Sequence, residues 1–179
     1  MFQTVNSIIQ RVLGLAGALS GLLLLALVAT ILADVIGRNA FNSGSTQLQE
    51  LEWHLNAAIF LLALGYAYSR GAHVRIDVVA QRFSPRTKAV IEVIGIVFLL
   101  IPYCFALISF GADYWSASYA FNEASASATG LPYRWILKGV MVFGFVLLGL
   151  SGIAVLVDRL IFLFEGKGSA NQPDAGART

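Results

Sequence analysis

Side chains able to move protons or hold ligands are few in this sequence, and their spacing narrows the chemistry at once. Two histidines, His54 and His73, invite haem ligation, because helical membrane bundles can grip iron between paired imidazoles. They stand 19 residues apart in mostly helical chain, about 28 Å at 1.5 Å per residue, too far to share one iron. The carboxylates form no metal-ligand cluster with histidine or cysteine. Neither a glycine-rich phosphate loop nor a credible Ser–His–Asp set occurs. The single cysteine, Cys104, lies inside an apolar run and reads as a small core residue. The expectation is a chain that is not an enzyme and carries no catalytic, substrate-binding or metal residues and no cofactor.

Several charges pair at helical spacing instead. Asp34 and Arg38 stand at i, i+4, acid before base, either as a local interfacial pair or as a contact with another subunit. Lys88 and Glu92 repeat the spacing, with Glu92 in the first turns of a helix, where the dipole favours an anion. It reads as an interfacial anchor rather than a proton carrier. The stretch "GYAYSRGAHVRID" gathers Arg70, His73, Arg75 and Asp77, and Arg82, Arg86 and Lys88 follow. Asn56 is expected to hydrogen-bond a neighbouring helix. Gly17-x-x-x-Gly21 and Ala63-x-x-x-Ala67 would let helices approach closely.

What positions these groups is a membrane. The 179 residues are 58% hydrophobic and 12% charged, against about 25% charged in soluble domains. Between Arg11 and Asp34 lie 22 uncharged residues, between Glu92 and Asp113 lie 20, and between Lys138 and Asp158 lie 19. About 20 helical residues cross the hydrocarbon core, so each run is long enough. The first run exceeds the core of a signal peptide, and no Ala-x-Ala site stands directly before Asp34 at its end, so it reads as retained. Leu55–Tyr68 has only 14 residues, but its ends extend it. Thr46 and Gln49 fit a capping box, and Arg70-Gly71 fits a helix stop. Trp53 at one end and Tyr66 and Tyr68 at the other would sit in the aromatic belts.

Ser84-Pro85 predicts the start of a third helix, which Pro102 should kink, and a fourth begins near Pro132. The expectation is an all-α integral membrane protein with four transmembrane helices, spans near 12–36, 50–69, 90–112 and 134–157 within a domain 1–165. The tail 166–179 is too polar to fold and reads as disordered and cytoplasmic.

Orientation follows from lysine and arginine. Nine lie on the side of the termini and the 70–88 loop: Arg11, Arg70, Arg75, Arg82, Arg86, Lys88, Arg159, Lys167 and Arg178. Three lie opposite: Arg38, Arg134 and Lys138. Both termini are therefore expected in the cytoplasm, with the basic loop able to touch anionic lipid. The opposite loop, "DYWSASYAFNEASASATGLPY", exceeds the usual connection in a helical bundle. Its Tyr119 and Phe121 belong either to an aromatic belt folded back over the bundle or to a docking surface. Three classes stay open on the residues alone: a scaffold subunit, a membrane anchor for a redox complex, and a small stand-alone channel or exporter. Nucleic acid is not expected as a partner.

"DVIGRNAF", "LQELEWHLNAAIFLLALGYAYSRGAHVRIDVV" and "PRTKAVIEVIG" resemble the DctQ-like small membrane subunit of tripartite ATP-independent periplasmic (TRAP) transporters, over roughly residues 5–160. Glu52-Trp53-His54-Leu55 and "LPYRWILKG" are similar to the mannitol/chloroaromatic-type branch. The resemblance implies a complex in the bacterial inner membrane: this subunit, a large multi-span subunit that binds sodium and substrate, and a periplasmic substrate-binding protein. It implies secondary transport, usually of organic acids, with the small subunit a fixed partner of an elevator-type large one. Asp34, Arg38, Glu50, Glu52, His73 and Arg75 are its specific parts, expected with Tyr119 and Phe121 to meet partners or lipid.

Overall fold

In the computed structural model, residues 2–41, 44–71 and 83–165 are described. His73, Arg75, Asp77 and Arg82 of the basic loop, and the segment 166–179, lie outside them. All regular structure among the described residues is helical: α1 Phe2–Phe41, α2 Thr46–Ser69, α3 Pro85–Ala120 and α4 Trp135–Glu165. Within these, Asn6–Phe41, Pro85–Ala120 and Trp135–Phe164 are long and apolar enough to cross a membrane. The 24 residues of α2 start with polar turns carrying Glu50, Glu52 and His54.

The helix ends follow local chemistry, with two shifts from the sequence reading. Ser45, not Thr46, caps α2: its backbone is extended and its hydroxyl accepts from the Leu48 N–H at 3.4 Å. Serine supplies the same acceptor one residue earlier, which leaves Gln49 outside the box. At the far end Arg70 N–H bonds the Tyr66 carbonyl, and Gly71 stops the helix at φ 63°, a conformation glycine adopts without strain. Ser84 caps α3 onto Thr87 N–H at 3.2 Å, with Pro85 at the first helical position. The last helix starts at Trp135 rather than near Pro132.

Pro102 interrupts α3 as expected, in a particular form. Ahead of it the chain widens into a π turn, Ile96–Leu100, where the Ile101 N–H reaches back to the Ile96 carbonyl. Proline cannot donate, and in a regular α-helix its ring would meet the Phe98 carbonyl; a wider turn makes room.

The helices form a row in the order α1, α2, α4, α3, with α1 and α3 at opposite edges. Leu13 and Ala16 of α1, Leu62 of α2 and Leu147 of α4 make the buried core. Two glycines set the α2–α4 spacing. A Cβ on Gly65 would lie 2.8 Å from the Leu147 backbone, and one on Gly144 would lie 2.8 Å from the Leu61 carbonyl oxygen. Small residues permit such close approach where apolar burial gains nothing over lipid. Of the predicted pair, Gly17 makes room for the Tyr66 ring, whereas Gly21 faces open space. Asn56, expected between helices, is exposed on α2.

Candidate functional site

Polar side chains gather at the two ends of the row. At one end, Asp34 is buried and binds Arg38, with Nη2 and Nε at 2.6 and 2.8 Å from Oδ2. Arg38 is 44% exposed along its side chain. Its guanidinium also meets the Gln49 side chain of α2 once that amide is oriented oxygen-first. The i, i+4 pair thus ties α1 to α2 rather than standing alone on one helix.

Glu50, in the second turn of α2, is buried. Its Oε1 accepts from the Ser125 hydroxyl and its Oε2 from the Leu131 N–H at 2.6 Å. Gly130 closes over this clasp: a Cβ there would stand 2.3 Å from Ser125 and 2.9 Å from Glu50 Oε1. The connection itself, residues 121–134, is cross-linked by Ser125 N–H to Leu131 O at 3.0 Å and Arg134 N–H to Glu123 O at 2.9 Å. Lys138 binds Glu123 and lies 3.6 Å from the centre of the Tyr114 ring. The Lys138 ammonium, hydrogen-bonded to Glu123, holds that carboxyl below the usual carboxylate range. Arg134 stacks on Trp53 with its guanidinium carbon 5.5 Å from the ring centroid.

Tyr119 packs edge-on against Trp135, with centroids 5.1 Å apart. Its ring is still more than half exposed, and Phe121 is 85% exposed. His54 Nδ1 lies 2.6 Å from the Glu50 carbonyl oxygen, which can only accept, so Nδ1 is the donor. Below it an apolar groove of about 240 Å³ runs between Leu55, Ala58 and Leu137, under Leu131 and Tyr133.

The opposite end carries a second set. Arg159 of α4 reaches Glu92 of α3 at 2.7 Å, and Asn6 of α1 donates to Asp158 at 3.3 Å. Glu92 is thus an interhelical anchor bound to a residue 67 positions away, a partner no local pattern announces. The same holds for Ser125 and Leu131, although the turn-rich "SASATGLPY" marked where an acceptor would be needed. No group of three or more His, Cys, Asp or Glu among the described residues is placed to hold a metal ion. His73 and Arg75 lie outside the described residues.

These contacts brace helix ends, and with the apolar helices between them they define a multi-pass helical membrane subunit. A sequence model of the DctQ component of tripartite ATP-independent periplasmic transporters matches residues 27–161, and the chain belongs to that family. It is also 28% identical over 149 residues to a TRAP transporter small permease protein of Haemophilus influenzae, covering 80% of this chain and 87% of that protein. The chain is accordingly a multi-pass protein of the bacterial inner membrane and a transporter component, from a family that is not one of enzymes.

Proposed function

We propose that this chain is the small permease subunit of a sodium-coupled secondary transporter. It would hold a large sodium- and substrate-binding membrane subunit in place while a periplasmic binding protein delivers an organic acid. The observation that carries this reading is where the charges are used. Asp34, Glu50, Glu92 and Glu123 all bind partners within the fold, at its two ends, as bracing requires and a conducting path would not. The small-permease relative supports it too.

In this reading α2 is the fourth span and both termini are cytoplasmic. Support comes from its antiparallel course beside α1: Gln49 meets Arg38 at one end, and Tyr66 covers Gly17 towards the other. Of the contact residues, Arg38, Glu52, Tyr119 and Phe121 are the ones available to partners or headgroups. Asp34 and Glu50 act by holding Arg38 and the outer loop in place. His73 and Arg75 would meet the large subunit or lipid headgroups on the cytoplasmic side.

Reconstitution tests the assignment. Uptake into liposomes is expected only when this chain, the large subunit and the binding protein are all present. Transport by this chain alone would support a stand-alone channel and refute the proposal. A haem absorbance on purification would favour the redox anchor.

A further inference from the structure

The apolar groove under Tyr133 lies between α2 and α4, at the end of the row that holds Glu50. Its α2 wall runs from Leu51 to Ala58, about 10 Å of helix at 1.5 Å per residue. Its α4 wall is Ile136, Leu137 and Val140, in the first two turns of a helix long and apolar enough to span. Trp53 and Trp135 mark the interfacial belt beside it. The groove therefore starts at headgroup level and descends into hydrocarbon, whichever way α2 continues. Apart from His54 and Tyr133, the lining side chains carry no polar atom, so water there finds few of the partners it needs. An acyl chain needs none.

Two features of the rim add a headgroup to that chain. Three basic residues stand at this end, and two of them hold carboxylates: Arg38 binds Asp34, and Lys138 binds Glu123. Arg134 forms no ion pair among the described residues, and its guanidinium lies on the Trp53 ring instead. The carboxylates whose charge it feels are already taken, Glu50 by Ser125 and Leu131, Glu123 by Lys138. A guanidinium stacked by its face keeps the N–H donors of its edge for a second partner, and phosphate matches that fork. The other feature is Tyr133, whose φ of 62° is rare for so bulky a residue. Backbone bonds on either side fix it, Arg134 N–H to Glu123 O at 2.9 Å and Ile136 N–H to Tyr133 O at 3.0 Å. Strain of this kind persists at ligand clamps. Here it sets a half-exposed ring over the groove, one residue before the unspent cation.

We propose that this groove seats one phospholipid, with an acyl chain between α2 and α4 under Tyr133 and the phosphate against Arg134. The aliphatic walls select the chain, and the guanidinium selects the charge. The site is independent of the transport reading.

The test uses the full-length chain in dodecyl maltoside, a detergent without phosphate. A phosphatidylglycerol with a photo-activatable diazirine in its acyl chain is added, and adducts are mapped by mass spectrometry. They should concentrate at 55–58 and 136–140, over the exposed apolar positions 22 and 25 of α1. A diacylglycerol probe with the same chains should label the groove about tenfold less, the scale of one charge-assisted hydrogen bond. Arg134→Gln should lower phospholipid labelling by the same factor, and Arg86→Gln, at the opposite end, should leave it unchanged. Ala58→Phe, which fills the groove, should remove it; Arg134→Gln, a change at the rim, decides the matter if that variant fails to fold. Equal labelling by the two probes or in Arg134→Gln would overturn the proposal, as would adducts spread evenly onto α1. Displacement by inorganic phosphate alone would reduce the site to an anion site and overturn it too. A cross-linking residue at position 58 in native membranes should capture lipid, and capture of another protein there in its place would assign the groove to that protein instead.

Discussion

Glu50 spends its carboxylate on chain 75 and 81 residues further on, at Ser125 and Leu131. Glu50→Ala leaves a part-buried N–H and a part-buried hydroxyl without their acceptor, a loss of about 1–3 kcal/mol. Glu50→Gln, which keeps one acceptor, should cost less. Gly130→Ala should resemble the alanine variant, because its Cβ would collide with Ser125 and the carboxylate together. Hydrogen exchange over 121–134 reads all three, and unchanged protection in Glu50→Ala would remove the clasp from the account. Acid should loosen the same connection through Glu123, whose folded-state pKa is lowered by Lys138. A lowered carboxylate stabilises above its unfolded value, about 4.3, and that contribution is lost as pH falls through the folded value. Protection of the connection should therefore hold from neutral pH to about 5 and decline below about 4. At this scale the sequence was legible where a contact is local: Asp34 and Arg38 are four residues apart and do pair. It was silent on Glu92–Arg159 and on the Glu50 clasp, because contacts between distant segments leave no periodic trace.

The elements repeat that division. Three uncharged runs, the Ser84-Pro85 start and the Arg70-Gly71 stop were written in the sequence and recur in the helices. Which glycines matter was not, since a small-x-x-x-small motif does not say which face meets a neighbour. Gly144 falls outside both motifs singled out by spacing and Gly65 is an unspecified middle position of one, yet they carry the close backbone contact between α2 and α4. This gives a pair of alanine substitutions of opposite sign. Gly65→Ala must push α2 off the Leu147 backbone and should destabilise by about 1–3 kcal/mol, the usual cost of overpacking. Gly21→Ala meets nothing within 4 Å, and should gain up to about 1 kcal/mol of helix propensity. Unfolding midpoints in detergent compare the two directly. Equal effects would mean the helix row is assembled differently.

At the level of the whole molecule, the bias of basic residues leaves one ambiguity that packing addresses. With α2 as a span, nine basic residues fall on one side and three on the other. If α2 instead lay along the surface, Arg11 and Arg38 would exchange sides, and the count would again be nine to three. Charge counting alone therefore cannot choose, and fusions after Phe83, Asn122 or Thr179 read the same in both arrangements. Burial argues for the span. Leu62 of α2 is in the core with Leu13 and Leu147, and Gly65 touches the Leu147 backbone. About 24 Å of helix, at 1.5 Å per residue, separates that contact from the Gln49 end beside Arg38. A surface helix could not run beside two spanning helices, antiparallel to α1 and parallel to α4, over that depth. The deciding positions are Gly44 and the N-terminus. A reporter after Gly44 should be periplasmic and one before Phe2 cytoplasmic if α2 crosses, and the two should be reversed if it does not. A cysteine at Gly44, labelled from outside intact cells by a membrane-impermeant maleimide, gives the same answer without a fusion. Failure to label there, with labelling at Asn122 as the positive control, would leave α2 on the surface and reduce the protein to three spans.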